Sequence, residues 1–383
     1  MAGAGVTTEQ VTGGTLQGRA DARLNGIVER LEGFLSADPD LSFQAAAFQG
    51  GEPVLDVWGG PHLSEDSVMV PYSVTKNTIG VTVGLLVEQG VLDLDEPVAA
   101  YWPEFAQKGK ARVTVRQLLS HQAGLPQATP ALTWHELLDH HAAAERLAAT
   151  TPFWHPGSSF GYHAITIGSL ASELVFRVTG RTLHEVYDTE IRRPHDIDFF
   201  LGLPPEHDRR RVDTLPMIRP VSDSSTMYSS VLGPIVWNAA GPPVDLANDE
   251  VSWRFGHPAA SGTGTARGLA RLMASAVTGV EGAPALLSPD TVAAIGQQQV
   301  SGYDEVLGQP HRAHGIVFQK PTPSLHFGGP RAFGHDGAMG ALACVDPDTG
   351  VAFAWTIARG PWPGGADPRA LALARDLGTL LSS

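Results

Sequence analysis

Strand-forming sequence lies at the two ends of this chain and hardly anywhere between. Phe43–Phe48 and Val54–Trp58, separated by Gly50-Gly51, read as a β-hairpin. Met339–Val345 and Val351–Ile357, joined by Asp346-Pro347-Asp348-Thr349-Gly350, read as a second. Gly315–Gln319 has similar character. Near the start Ile27, Leu31, Phe34 and Leu35 share one helical face, and near the end Asp367 and Pro368 stand as N-cap and N1 of a last helix. The simplest way to pair these strands is one antiparallel sheet built by both ends, flanked by the terminal helices, with the middle as an insertion. The fold class expected is α/β (α+β): residues 20–85 and 300–383 form an α/β domain, 86–299 a mostly helical domain, and 1–19 a loose N-terminal arm.

The middle carries helix signals and loops. Ser73 to Glu88 reads as a helix stopped at Gly90. Thr114 caps a short helix through Leu119, and Thr133 with Glu136 has capping-box spacing before an Ala-rich helix. Ile165–Val178 is apolar at helical spacing and ends at Gly180; Thr265 caps Ala266–Val277. Residues 202–258 hold many Pro, Asp and Arg with little periodicity and read as long surface loops.

Composition narrows the function. Hydrophobic residues are 43% and charged residues 17% of 383, enough for a large core. A net charge of −14 argues against nucleic acid and against anionic lipid. No apolar run is long enough to span a membrane. Met1–Gly14 has neither a basic n-region nor an apolar h-region, and the single cysteine, Cys344, has no partner for an internal disulfide. The cytoplasm is therefore the default location, and a monomer is compatible with the sequence.

The chemistry concentrates at Tyr72-Ser73-Val74-Thr75-Lys76. With four lysines and 23 serines, chance places a Lys three residues after a Ser ~0.2 times in such a chain. A serine at a helix start has a backbone N–H with no intrahelical partner, free to bond a developing oxyanion. A lysine one turn on reaches the hydroxyl, and apolar neighbours (Val74, Ile79, Val81, Val83) disfavour its ammonium form, so it can take a proton. The bland alternative is a capping Ser followed by a solvated Lys. Two further segments weigh against it: Trp154 to Ala164, which sets Tyr162 just before an apolar helix, and Gly334-His335-Asp336-Gly337-Ala338 in the last strand region.

In this order the motifs resemble the serine β-lactamase-like superfamily, which includes class C β-lactamases and penicillin-binding proteins, and most of all its family VIII carboxylesterases. Thr114 to Pro126, Asp93 to Pro97 and Ser261 to Thr265 fit the same pattern, which covers roughly residues 20–380. The resemblance implies a β-lactamase/transpeptidase-like fold with the site between its two parts. It implies Ser73 as nucleophile, Lys76 as its proton acceptor, and Tyr162 as partner base that later activates water. A tyrosine loses its proton near neutral pH only beside a cation, and Lys76 is the one this arrangement offers. The N–H groups of Ser73 and Ala338 would hold the oxyanion, Gly337 would let the strand approach the substrate, and His335 would line the cleft. The substrate implied is a small-molecule ester. No metal or organic cofactor is implied.

Two positions depart from class C enzymes. Tyr-x-Asn becomes Tyr162-His163-Ala164, and the strand Lys becomes His335. Those missing groups contact a β-lactam's amide and carboxylate, so the departures favour esters. A β-lactamase or D-amino-acid peptidase of the same fold is one alternative, and a non-catalytic ligand-binding module another. Gly157-Ser158-Ser159-Phe160-Gly161 matches G-x-S-x-G, but Pro152, His155 and Pro156 stand where the buried strand of an α/β-hydrolase should be. His135 and His140 are five apart and face different sides of a helix, so they read as solvated, as does Arg209–Arg211. Cys344 reads as an inert core thiol, and His163 as structural.

Overall fold

The computed structural model describes residues 8–11, 15–225 and 228–382. Its frame is a seven-stranded antiparallel sheet: β1 (Thr8–Val11), β2 (Leu16–Asp21), β3 (Phe43–Gln49), β4 (Glu52–Gly59), β5 (Phe333–Asp336), β6 (Leu342–Asp346) and β7 (Val351–Ile357), in spatial order β1-β2-β4-β3-β7-β6-β5. Both chain ends meet at the β3–β7 pair, which runs in register from Val351 opposite Gln49 to Ile357 opposite Phe43.

The inward alternation of these strands serves two cores. Phe43, Ala45, Ala47, Cys344, Phe353 and Trp355 face the terminal helices α1 (Asn25–Ala37) and, at the other end of the chain, Pro368–Leu381, with Phe43 stacked on Trp355 at 4.4 Å. Ala46, Phe48, Ala343, Val345, Ala352 and Ala354 face the opposite core, which continues into the helical part. Small residues on that face let helices lie close. Three of them matter below: α2 (Lys76–Glu88), α3 (Thr166–Thr179) and α4 (Ala266–Val277).

Several expectations need correction. The supposed N-terminal arm contains β1 and β2, and β2 pairs with β4 from Leu16 opposite Gly59 to Ala20 opposite Leu55. Its inward positions are Leu16, Gly18 and Ala20, so the alternation is real but carried by small residues. A Cβ at Gly18 would lie 2.1 Å from Asp56 O, so only glycine fits there. The helix α4, assigned by sequence to the inserted domain, packs on β3, β7 and β6. Gly315–Gln319 is not a strand: Val317 has φ +66°, its N–H bonds Leu119 O at 2.7 Å, and Phe318 is buried against Gly80 of α2. The sheet strand of that region is β5, and Val300–Asp304 with Gln309–His314 forms a separate hairpin. Residues 202–258 hold short helices, Gly233–Ala240, Pro243–Asn248 and Glu250–Phe255, started by prolines at the first positions or by the Asp249 cap. Thr133 and Glu136 do form a capping box, yet that helix stops at Leu138 and Asp139 caps a second one. Thr114, Thr265 and Asp367 cap helices as expected. Among the described residues no helix is long and apolar enough to cross a membrane.

Candidate active site

The turn Tyr72–Thr75 is 3-10 helical and feeds directly into α2. Tyr72 enters it at φ +55°, a left-handed conformation that costs a non-glycine residue about 1–3 kcal/mol. The Tyr72 hydroxyl, bonded to Pro243 O at 3.0 Å, and the packing of its buried ring hold it there. This puts Ser73 at the mouth of a cleft with its N–H unmatched by any acceptor among the described residues.

Lys76 is fully buried one turn on. Its Nζ sits 3.1 Å from Ser73 Oγ and donates to Ala259 O at 2.7 Å. Burial drives its pKa well below the ordinary lysine value, against a smaller opposing pull from Asp336. That shift favours the neutral amine.

Tyr162 lies in the loop before α3. Its backbone N–H donates to both carboxylate oxygens of Asp304 at 3.1 Å, and Asp304 also accepts from the N–H groups of Val306 and Leu307. Its hydroxyl is 3.3 Å from His335 Nε2. His335 Nδ1 is 2.7 Å from Asp336 O, a carbonyl, so Nδ1 carries the hydrogen and Nε2 accepts the phenol O–H. Lys76 Nζ lies 5.0 Å from the centre of the Tyr162 ring. Burial raises the Tyr162 pKa, with its hydrogen bond to the Ser73 side chain acting in the other direction. Burial thus works against the expected tyrosinate beside a lysine cation, since a desolvated site favours the neutral form of both groups.

Ser73, Tyr162, Asp336 and Ala338 share the wall of one cleft of about 460 Å³, closed on its other sides by Trp237 and Arg312 among others. The N–H of Ala338, like that of Ser73, has no acceptor among the described residues. Two residues expected to face the substrate do not. His335 is wholly buried behind Tyr162, because its ring is tied between that hydroxyl and Asp336 O. Gly337 packs on the nucleophile turn: a Cβ there would lie 2.3 Å from Pro71 O. Glycine thus brings the Ala338 loop against the Ser73 turn rather than against the substrate.

Behind Tyr162 stands a wall of imidazoles that the sequence did not announce. His314 stacks on its ring at 6.1 Å, and His121 meets both Tyr162 and His314 edge-on. His163 is structural as expected: its Nε2 accepts from Leu125 N–H at 2.8 Å, and Nδ1 donates to Gly161 O at 2.7 Å. Burial keeps these three, and His335 with them, well down from the ordinary histidine value. Ala259 and Asp304, which hold Lys76 and Tyr162, were also missed. Ala259 acts through its backbone carbonyl, and the Asp304 carboxylate through backbone N–H groups of other residues, and neither leaves a motif.

The decoys resolve locally. Ser159 sits in a loop with no strand before it and donates to Glu305 Oε1 at 2.8 Å. His135 is exposed, whereas His140 is not a solvated residue: it packs edge-on against His257 at 4.9 Å and Phe255 at 4.9 Å. No cluster of three His, Cys, Asp or Glu side chains fit to hold a metal occurs among the described residues. Arg210 forks onto Asp198, and Arg211 stacks on Trp253 at 4.8 Å, so this run clamps a loop instead of being merely solvated. Cys344 is buried in β6 and its thiol pKa is pushed up.

Comparison with known proteins covers most of the chain. LipL, an esterase/β-lactamase of Mycobacterium tuberculosis (strain ATCC 25618 / H37Rv), is 33% identical over 371 residues, covering 88% of this chain and 81% of that protein. The solved structure of EstA from Arthrobacter nitroguajacolicus Rue61a matches with a TM-score of 0.89 at 38% identity, covering 95% of this chain and 98% of that one. A family VIII carboxylesterase matches with a TM-score of 0.86 at 28% identity, covering 95% and 99%. The Beta-lactamase family model itself matches residues 31–376, a span that holds the Ser73 turn, the Tyr162 loop and β5 together, and the chain belongs to the β-lactamase family.

Proposed function

We propose that this protein is a serine hydrolase that cleaves short-chain carboxylic esters through an acyl-enzyme on Ser73. The observation that carries the reading is the 3.1 Å approach of a fully buried lysine amine to Ser73 Oγ. The esterase names of its relatives support it.

Ser73 Oγ attacks the ester carbonyl and its proton passes to Lys76 Nζ. The oxyanion rests on the N–H groups of Ser73 and Ala338. As the ester C–O bond breaks, Tyr162 gives its proton to the departing alkoxide. The alcohol leaves, and a tyrosinate remains near the Lys76 ammonium, each stabilising the other's charge. In the second half a water gives a proton to Tyr162 as its oxygen attacks the acyl carbon. The Ser73–acyl bond breaks, Lys76 returns the proton to Ser73, and the acid leaves. Tyr162 ionises only inside the cycle, which fits its raised pKa at rest.

Esters are favoured over β-lactams on two grounds. Ala164 is an apolar, buried side chain with no amide to offer a lactam side chain. His335 is pushed toward its neutral form, and both its nitrogens are engaged, so it cannot serve as a cationic clamp. With p-nitrophenyl butyrate and the cephalosporin nitrocefin on one preparation, kcat/KM for the ester should be higher by at least ~10-fold. Ser73→Ala should abolish ester turnover while Ser159→Ala keeps most of it. Equal or better lactam turnover would give the β-lactamase reading instead, and an active Ser73→Ala enzyme would remove the mechanism.

A further inference from the structure

The cleft contains a cation that the mechanism does not use. Arg312 lies on the strand Gln309–His314, opposite Gly302 of its hairpin partner. It is 8% exposed, and it lines the same cleft as Ser73, Tyr162 and Ala338. A guanidinium carries five N–H donors in a fixed fork. Yet among the described residues Arg312 makes no side-chain hydrogen bond and has no carboxylate within 4.0 Å. The nearest acid on its hairpin, Asp304, is committed to the N–H groups of Tyr162, Val306 and Leu307. The acid in the cleft wall, Asp336, accepts from Ala366 N–H at 3.2 Å. A guanidinium that opens onto the cleft of Ser73 with no carboxylate beside it is placed to pair with an anionic ligand.

We infer that Arg312 is a carboxylate-binding subsite, and that the preferred substrates of the proposed esterase are esters carrying a free carboxylate, such as half-esters of small dicarboxylic acids. The inference rests on the esterase reading for its turnover but not for its binding. A carboxylate would meet the planar guanidinium fork with two parallel hydrogen bonds, the geometry in which arginine discriminates best. A cleft of about 460 Å³ has room for a chain of a few carbons between that fork and Ser73.

Two matched pairs of esters test it. Monomethyl adipate against methyl hexanoate places the carboxylate on the acyl side. The 4-acetoxybenzoate anion against its methyl ester places it on the alcohol side. The wild-type enzyme should favour the anionic member of at least one pair by ~10-fold or more in kcat/KM, the scale of one charge-assisted contact. In Arg312→Gln that preference should fall to about one or below, and in Arg312→Lys part of it should survive. No preference in either pair, or a preference that persists in Arg312→Gln, overturns the subsite. Calorimetric titration with adipate keeps the two readings apart. If no ester is turned over but adipate binds at least ~10-fold more tightly to wild type than to Arg312→Gln, the esterase reading fails and the subsite stands. Equal binding overturns the subsite whatever the turnover. If Arg312→Gln fails to fold, the wild-type preference and the Arg312→Lys comparison still decide.

Discussion

Lys76 and Tyr162 are both pushed toward their neutral forms by the same cause, removal from water, and this shapes what each can do. A buried amine is a ready base; a buried phenol is a ready acid that becomes a base only when a cation forms next to it. Tyr162→Phe keeps the ring packed on His314 and removes only the hydroxyl, so the fold should persist while kcat on p-nitrophenyl butyrate falls ~10²-fold or more. Lys76→Ala should lose at least as much, since among the described residues no other amine bonds Ser73. Steady-state rates on both variants check this, and a Tyr162→Phe enzyme with wild-type kcat would take Tyr162 out of the reaction. Ser73 and Lys76 were visible in the sequence because one helical turn joins them. Tyr162 and Ala338 came from the order of motifs. Arg312 left no trace, because its meaning depends on what it fails to touch, and its strand has no regular apolar pattern.

At the level of elements, the site is the seam where the turn before α2 meets the loop after β5. Gly337 sets the depth of that seam. In Gly337→Ala a Cβ would press on Pro71 O, and the loop would have to move away, carrying the Ala338 N–H off the oxyanion position. The expected result is a loss in kcat of at least ~10-fold, with circular dichroism like that of wild type. An unaltered kcat would place the second oxyanion donor elsewhere. Gly80 has a parallel role, since a Cβ there would strike the Phe318 ring at 2.2 Å. That contact also explains why Gly315–Gln319 misled: its apolar residues are buried against a helix, and burial alone gives no sign of whether a strand pairs. Helix caps were legible because their signals are local. The strands β1 and β2 were not, because Gly18 and Ala20 carry little hydrophobic signal even where they face the core.

For the molecule as a whole, the striped sheet with helices on both faces followed from where the strand-like sequence lay, while the wall of buried histidines did not. His121, His163, His257, His314 and His335 are all fully buried. Each has its folded pKa lowered from the ordinary 6.5, His163 to about 4, with burial as the main cause. Unfolding lets them bind protons, so stability is full above about pH 7 and is lost as pH falls from 6.5 toward the folded values. A histidine kept neutral in the fold but protonated on unfolding costs ~1.4 kcal/mol per pH unit below its unfolded pKa, so the five together should lower stability measurably by about pH 5.5. Urea denaturation at pH 7.5 and 5.5 should show that drop; a flat profile would mean that the imidazoles are hydrated or charged in the folded state.

The most direct test of the central claim is where an active-site reagent attaches. After reaction with a p-nitrophenyl phosphonate ester, tryptic mass spectrometry should find the adduct on the peptide that ends at Lys76, at Ser73 and in about one equivalent per chain, with Ser73→Ala protein unlabelled. An adduct on the peptide that carries Ser159, or no adduct on an enzyme that still hydrolyses esters, would contradict the account.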